Sequence, residues 1–210
     1  IDDETVQGTP RAAAPDERTG HVIIRATSGL LLPAGFVARD QGLSDLAPFG
    51  LAIGGGVGLG LSRHAELDVA ASYGLLATST ECASCSVDTV SAGLGMSYHL
   101  AEGLAVDPFI RLGVGYRTLS ASHQDEIDDV AAPGRYHGID FFQIALGASF
   151  FPVRGFGFGP VLAADVGTFV ERPAQAQSAR AYAMFQLGVR IELDPIGLAA
   201  TPPVEAARTA

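Results

Sequence analysis

The chain has 210 residues, enough for one domain or a small pair, with 23 acidic side chains against 13 Lys and Arg and a formal net charge of −10. That balance argues against nucleic-acid binding through a basic patch. Mean hydropathy is positive, with 26 Gly and no Trp. Yet no run of ~18 apolar residues lacks charges or turn signals, which argues against a helical membrane span.

Residues 1–19 are polar and show no period, with Asp2, Asp3, Glu4, Asp16 and Glu17 among them. They read as a flexible acidic N-terminal arm. A chain that starts at Ile1 reads most simply as mature protein after removal of an export signal. A first strand is expected over 20–33. Val22, Ile24, Ala26, Leu30 and Leu32 share one parity, and Ile23, Arg25, Thr27, Gly29 and Leu31 the other. Pro33 and Gly35 are expected to end it, leaving 34–47 as a loop.

The second strand, 49–62, is the most telling. Phe49, Leu51, Ile53, Val57, Leu59 and Leu61 alternate with Gly50, Ala52, Gly54, Gly56, Gly58, Gly60 and Ser62. A strict period of two means a strand with two different faces. One face wants an apolar solvent. The other carries almost no side chain, as a crowded or curved interior requires.

After a short connection the third strand is expected over 66–77, with Leu67, Val69, Ala71, Tyr73 and Leu75 opposite Glu66, Asp68, Ala70, Ser72 and Gly74. A polar loop, 78–86, holds Cys82 and Cys85. One C-x-x-C is too little for a zinc site. No βαβ context suits a thioredoxin-type motif. The pair reads as a small loop disulfide, with free thiols as the alternative. The fourth strand, 87–100, places Ser91, Gly93, Gly95, Ser97 and His99 opposite Val90, Leu94, Met96 and Tyr98. The fifth, 105–119, places Phe109, Arg111, Gly113, Gly115 and Arg117 opposite Pro108, Ile110, Leu112, Val114 and Tyr116. The longest loop, 120–137, contains Asp125, Glu126, Asp128 and Asp129, an acidic run that reads as solvated surface.

The sixth strand, 138–151, sets Phe142, Ile144, Leu146 and Phe150 against Gln143, Ala145, Gly147 and Ser149. The seventh, 158–170, sets Leu162, Ala164 and Val166 against Val161, Ala163 and Asp165. The eighth, 179–193, sets Phe185, Leu187, Val189, Ile191 and Leu193 against Met184, Gln186, Gly188, Arg190 and Glu192. Residues 194–210 form a Pro/Ala-rich C-terminal tail, leaving 20–193 as one β-barrel domain.

Eight strands of this length exceed the ~5–6 residues usual in soluble sheets and suffice for the ~9–11 of a tilted membrane span. Connections after the odd strands are long and those after the even strands short, as in barrels with long external loops and short periplasmic turns. A soluble β-sandwich, the alternative with many alternating strands, has no reason to sort its loops.

The pattern over 20–193 resembles the small eight-stranded bacterial outer-membrane β-barrels, such as the transmembrane domain of outer-membrane protein A and its relatives. The most specific local feature is the run Gln186-Leu187-Gly188-Val189-Arg190-Ile191-Glu192-Leu193. Gln186, Gly188, Ile191 and Leu193 look like the last-strand signal read by the barrel assembly machinery, although many members stop on an aromatic residue and this chain continues past Leu193. The resemblance implies an all-β, antiparallel, up-and-down transmembrane barrel in a Gram-negative outer membrane, with both termini periplasmic. It also implies outer-membrane lipid and the assembly machinery as partners.

In that frame the large apolar parity faces lipid. Phe49, Tyr73, Tyr116 and Phe142 then lie toward the long-loop end and Tyr98 and Phe150 toward the short-turn end, as two interfacial girdles. The other parity brings Arg25, Glu66, Asp68, Arg111, Arg117, Asp165, Arg190 and Glu192 into a lumen just wide enough for side chains. Buried charges must pair. Arg190 is expected near Asp165, and Arg25 near Glu192. Lipid-modifying enzymes on this scaffold need a nucleophile and a base at the outer rim. Ser120, Ser122, His123 and His137 lie near it without the required spacing, so no catalytic residue, metal site or cofactor is assigned. The expected function is a non-enzymatic scaffold, surface-contact or partner-binding barrel acting through loops or tails, with a mostly closed lumen. The alternative is a narrow, porin-like conduit for small solutes or apolar molecules.

Overall fold

The structure is a computed structural model that describes residues 18–38, 41–78, 85–101, 105–123, 134–171 and 181–199. The elements are β1 (Val22–Ala38), β2 (Gln41–Gly42), α1 (Leu43–Leu46), β3 (Phe49–Gly60), β4 (Ala65–Ala77), β5 (Cys85–His99), β6 (Val106–His123), β7 (Gly134–Val153), β8 (Phe156–Glu171), β9 (Ala181–Leu193) and α2 (Pro195–Ala199). β1 and β3 through β9 pair in sequence order, all antiparallel. β9 pairs back onto β1 from Ile24↔Leu193 to Gly35↔Tyr182, which closes an eight-stranded barrel. Closure leaves no free edge along the paired length. At the seam Gly29 faces Gly188, where a Cβ on Gly29 would sit 2.7 Å from the Gly188 Cα, so the strands meet where neither has a side chain.

Alternation puts the large apolar parity outside. Leu51, Leu94 and Leu187 are 68%, 58% and 58% exposed, levels a soluble fold does not sustain around its whole circumference. The inward parity of β3 is almost bare, and its glycines face neighbours with long polar side chains: Gly58 pairs with Asp68, and Gly60 with Glu66.

Three departures from the sequence reading have physical reasons. Pro33 and Gly35 do not end β1, which continues to Ala38. β3 pairs with β1 only as far as Leu31↔Gly50, so Pro33 lies where β1 has lost one neighbour and a missing N–H is tolerated. Segment 34–47 is not simply a loop, because α1 folds over the barrel mouth with Leu43 and Leu46 buried. β7 starts at Gly134 rather than 138, and a bulge between Asp140 and Phe142 reverses its parity. Tyr136, Gly138 and Asp140 point inward before it, Gln143 and Ala145 after it, and Phe141 and Phe142 both face out.

The interior is layered. At the mouth opposite the tight connections 61–64 and 154–155, Leu31, Leu43, Leu46, Leu76, Val87, Leu119, Tyr136, Phe169, Tyr182 and Met184 form an apolar plug. The other half of the lumen is ionic.

Candidate functional site

All eight charged residues expected in the lumen point into it, and they fall into two tiers. The lower tier lies at the short-turn end. Arg25 pairs with Glu66 and lies opposite Glu192, its Nε 3.9 Å from that carboxylate. Arg190 donates to Glu192, and its guanidinium carbon sits 3.9 Å from the centroid of the Phe109 ring. Arg111 donates from Nε to Asp68 at 2.8 Å, and the other Asp68 oxygen accepts from Ser97 at 3.3 Å. Glu66 and Glu192 are fully buried, so each depends on these partners for its charge.

The upper tier centres on Arg117. Its Nε and Nη2 donate to the two oxygens of Asp140 at 3.2 and 3.1 Å, and Nη2 also reaches Asp165. Asp140 accepts further bonds from the Tyr182 hydroxyl at 2.7 Å and Gln143 Nε2 at 3.1 Å. A two-pronged grip by guanidinium is the strong form of such contacts. Arg111 Nη1 to Gln143 Oε1, 3.4 Å, joins the tiers.

The expected pairing of Arg190 with Asp165 does not occur. Arg190 is in register with Gly159, six residues along β8 from Asp165, roughly 20 Å at strand rise. Asp165 therefore takes Arg117, and Arg190 takes Glu192.

Three charged members of the network, Asp140, Asp107 and Arg18, were not singled out from the sequence, whereas His99 lies on the inward parity expected for it. Asp140 is hidden by the bulge. Asp107, fully buried, sits on the inward parity of β6 and accepts from His99 Nδ1 at 2.7 Å. His99 is itself buried in the lumen, with Nε2 3.6 Å from Glu66. Arg18 lies before β1, in the segment read as an arm, yet is 1% exposed and donates to Glu192 at 2.6 Å and to Asp107 at 2.8 Å. Burial works to lower its pKa. The carboxylates of Glu192, Asp107 and Glu66 outweigh that and raise it, so Arg18 stays charged.

Between the tiers lies a cavity of about 130 Å³, lined by Arg25, Asp68, Arg111, Gln143, Gln186 and Arg190 among others. Arg190 Nε and Gln186 Nε2 are buried there with no hydrogen-bond partner among the described residues. Among the described residues no group of His, Cys, Asp or Glu is arranged to hold a metal ion.

The six named aromatics all face outward: Phe49, Tyr73, Tyr98, Tyr116, Phe142 and Phe150 are 41–51% exposed. Tyr98 stacks on His64, and the Tyr116 hydroxyl bonds His137 Nδ1 at 2.6 Å. Of the last-strand residues, Ile191 faces out, Gly188 sits on the β1–β9 seam and Gln186 lines the cavity. Cys82 and the side chain of Cys85 lie outside the described residues, as does the side chain of His123.

No protein-family model matches the sequence, and no curated protein does. Solved structures do match. Neisserial surface protein A is 11% identical, with 82% of this chain and 96% of that one covered, at a TM-score of 0.53. The outer-membrane protein OprG of Pseudomonas aeruginosa is 10% identical, with 84% and 97% covered, at 0.50. The chain has the fold of the small eight-stranded outer-membrane β-barrels.

Proposed function

We propose that the protein is a non-enzymatic barrel of a Gram-negative outer membrane, closed along its axis. It works as a structural scaffold, surface-contact or partner-binding protein through its rim, loops and tails. The observation that carries this reading is the filling of the lumen: the lower ionic tier, the Arg117 tier and the apolar plug lie one above another. A barrel filled in this way offers solutes no open path, so a partner must meet its rim or outer surface. The apolar belt supports lipid as the surroundings. In this reading the tight turns and both termini face the periplasm. The last strand, at Gln186, Gly188, Ile191 and Leu193, is what the assembly machinery engages. Catalysis at the rim would need a nucleophile with a base beside it. The Ser122 hydroxyl instead meets Ser86, and His137 meets the Tyr116 and Thr118 hydroxyls.

The cavity between the tiers favours a second reading, a narrow conduit for small solutes. Vesicles containing the barrel and loaded with a small sugar separate the two. Retention of the sugar at the protein-free rate supports the closed barrel, and rapid loss supports the conduit. Membrane placement has its own test in Leu94→Arg. Leu94 faces outward midway along the barrel wall, between Val69 and Val114. A cation there costs about 2–4 kcal/mol when the site faces the bilayer midplane. Unchanged stability in lipid would contradict the placement.

A further inference from the structure

Among the described residues Arg18 is the lumen cation that no barrel strand supplies. Residues 18–21 lie across the short-turn mouth and are fixed there. His21 N–H donates to the Arg18 carbonyl at 2.9 Å, Gly20 N–H to the Gly60 carbonyl at 2.8 Å and Gly60 N–H to the His21 carbonyl at 3.0 Å. Gly20 turns with φ of 77°, a conformation that disfavours a side chain. Gly60 is bare where the Arg18 carbonyl crosses it, and a Cβ there would overlap that oxygen. Two glycines thus allow one backbone turn to deliver one guanidinium.

The receiving side is built from the barrel. Nη1 of Arg18 meets Glu192 at 2.6 Å, Nη2 meets Asp107 at 2.8 Å, and Glu66 is 3.9 Å away. Phe151 lies against the same group, with its ring centroid 5.8 Å from the guanidinium carbon. Each of these carboxylates is at most 1% exposed. Arg25 serves Glu66, and Arg190 serves Glu192. Among the described residues Asp107 has Arg18 and His99 as its cationic partners. Without Arg18 the barrel therefore holds buried carboxylates one cation short, which is strongly unfavourable.

We infer that the short-turn mouth is a guanidinium-binding site, formed by Asp107, Glu192, Glu66 and Phe151, which the chain fills with its own Arg18 and which takes an external guanidinium compound when Arg18 is withdrawn. Two carboxylates on two different nitrogens, beside a ring, suit a flat fork of donors. A compact ammonium cannot span them in the same way. The inference goes beyond a closed lumen, because it names a ligand class at one end. It also assigns that end to a segment outside the barrel strands.

Chemical rescue of the full-length Arg18→Ala protein in detergent tests this. The readout is the midpoint of the heat-induced gel shift, titrated with methylguanidinium chloride. Methylammonium and potassium chloride serve as controls at equal ionic strength. The midpoint is expected to fall by roughly 10 °C. Methylguanidinium on the order of millimolar concentration should restore it. Methylammonium should need at least about tenfold more, as the fork geometry requires, and the wild type should not respond. An unchanged midpoint, no recovery, or equal recovery with all three salts would overturn the inference. If Arg18→Ala does not fold, Gly60→Ala unseats the same turn while keeping the arginine. It should show the same selective rise, and a flat response there overturns the inference equally.

Discussion

The two halves of the lumen are closed by opposite chemistry. Toward the short turns, Arg18, Arg25, Arg111 and Arg190 interlock with Glu66, Asp68, Asp107 and Glu192. Toward the other mouth, Leu43 and Leu46 of α1 drop onto Leu31, Leu76, Val87 and Phe169. The ionic half is specified by geometry, since each charge must find its own partner. The apolar half asks only for volume and tolerates rearrangement. Glycines are distributed to match. The bare face of β3 makes space for the long side chains of the ionic half. A Cβ on Gly58 would collide with the Glu66 carboxylate that Arg25 holds in place.

The largest expected effect is therefore at a shared carboxylate. Glu192→Ala takes the carboxylate from Arg190 and one of the two bonded carboxylates from Arg18, and should cost about 3–5 kcal/mol. Equilibrium unfolding in urea with lipid vesicles measures it, and a loss below about 1 kcal/mol would erase the proposed distinction between the halves. Gly58→Val should be next, at about 1–3 kcal/mol, because the added carbons press on a charge that cannot move away. The same substitution would be nearly neutral if the lumen there were open. The smallest effect belongs to the plug. Leu46→Ala should cost about 1 kcal/mol or less in global unfolding, because α1 can open locally without unpairing a strand. It should nevertheless speed amide hydrogen exchange across 43–47 well above the rate in β1.

The strands were legible because a period of two sustained for 12 or more residues has few other meanings, and inside and outside follow from it directly. Lumen membership of Arg25, Glu66, Asp68 and Arg117 came with the parity. Partner choice did not, because it depends on register and strand tilt. Arg190 and Asp165 stand on neighbouring strands but at different heights. Asp140 shares the parity of Phe142 in the sequence, and only the bulge separates them. Asp107 was readable by extending the Phe109–Arg111 alternation back two residues. Arg18 lies outside any periodic segment, and nothing local marks it as buried. In α1 the three-residue spacing of Leu43 and Leu46 is the sole trace of the plug, too short to stand out within 34–47.

Closure at both ends is the central claim, and single-channel recording in planar bilayers tests it most directly. Wild type, Arg18→Ala and a Leu43→Ala/Leu46→Ala double variant should all be silent, because in each at least one seal stays in place. Combining the three substitutions should leave the barrel silent as well, because the Arg117 tier still fills the lumen between the two ends. Steady conductance through the wild-type barrel, or through either variant with one end intact, would contradict the account.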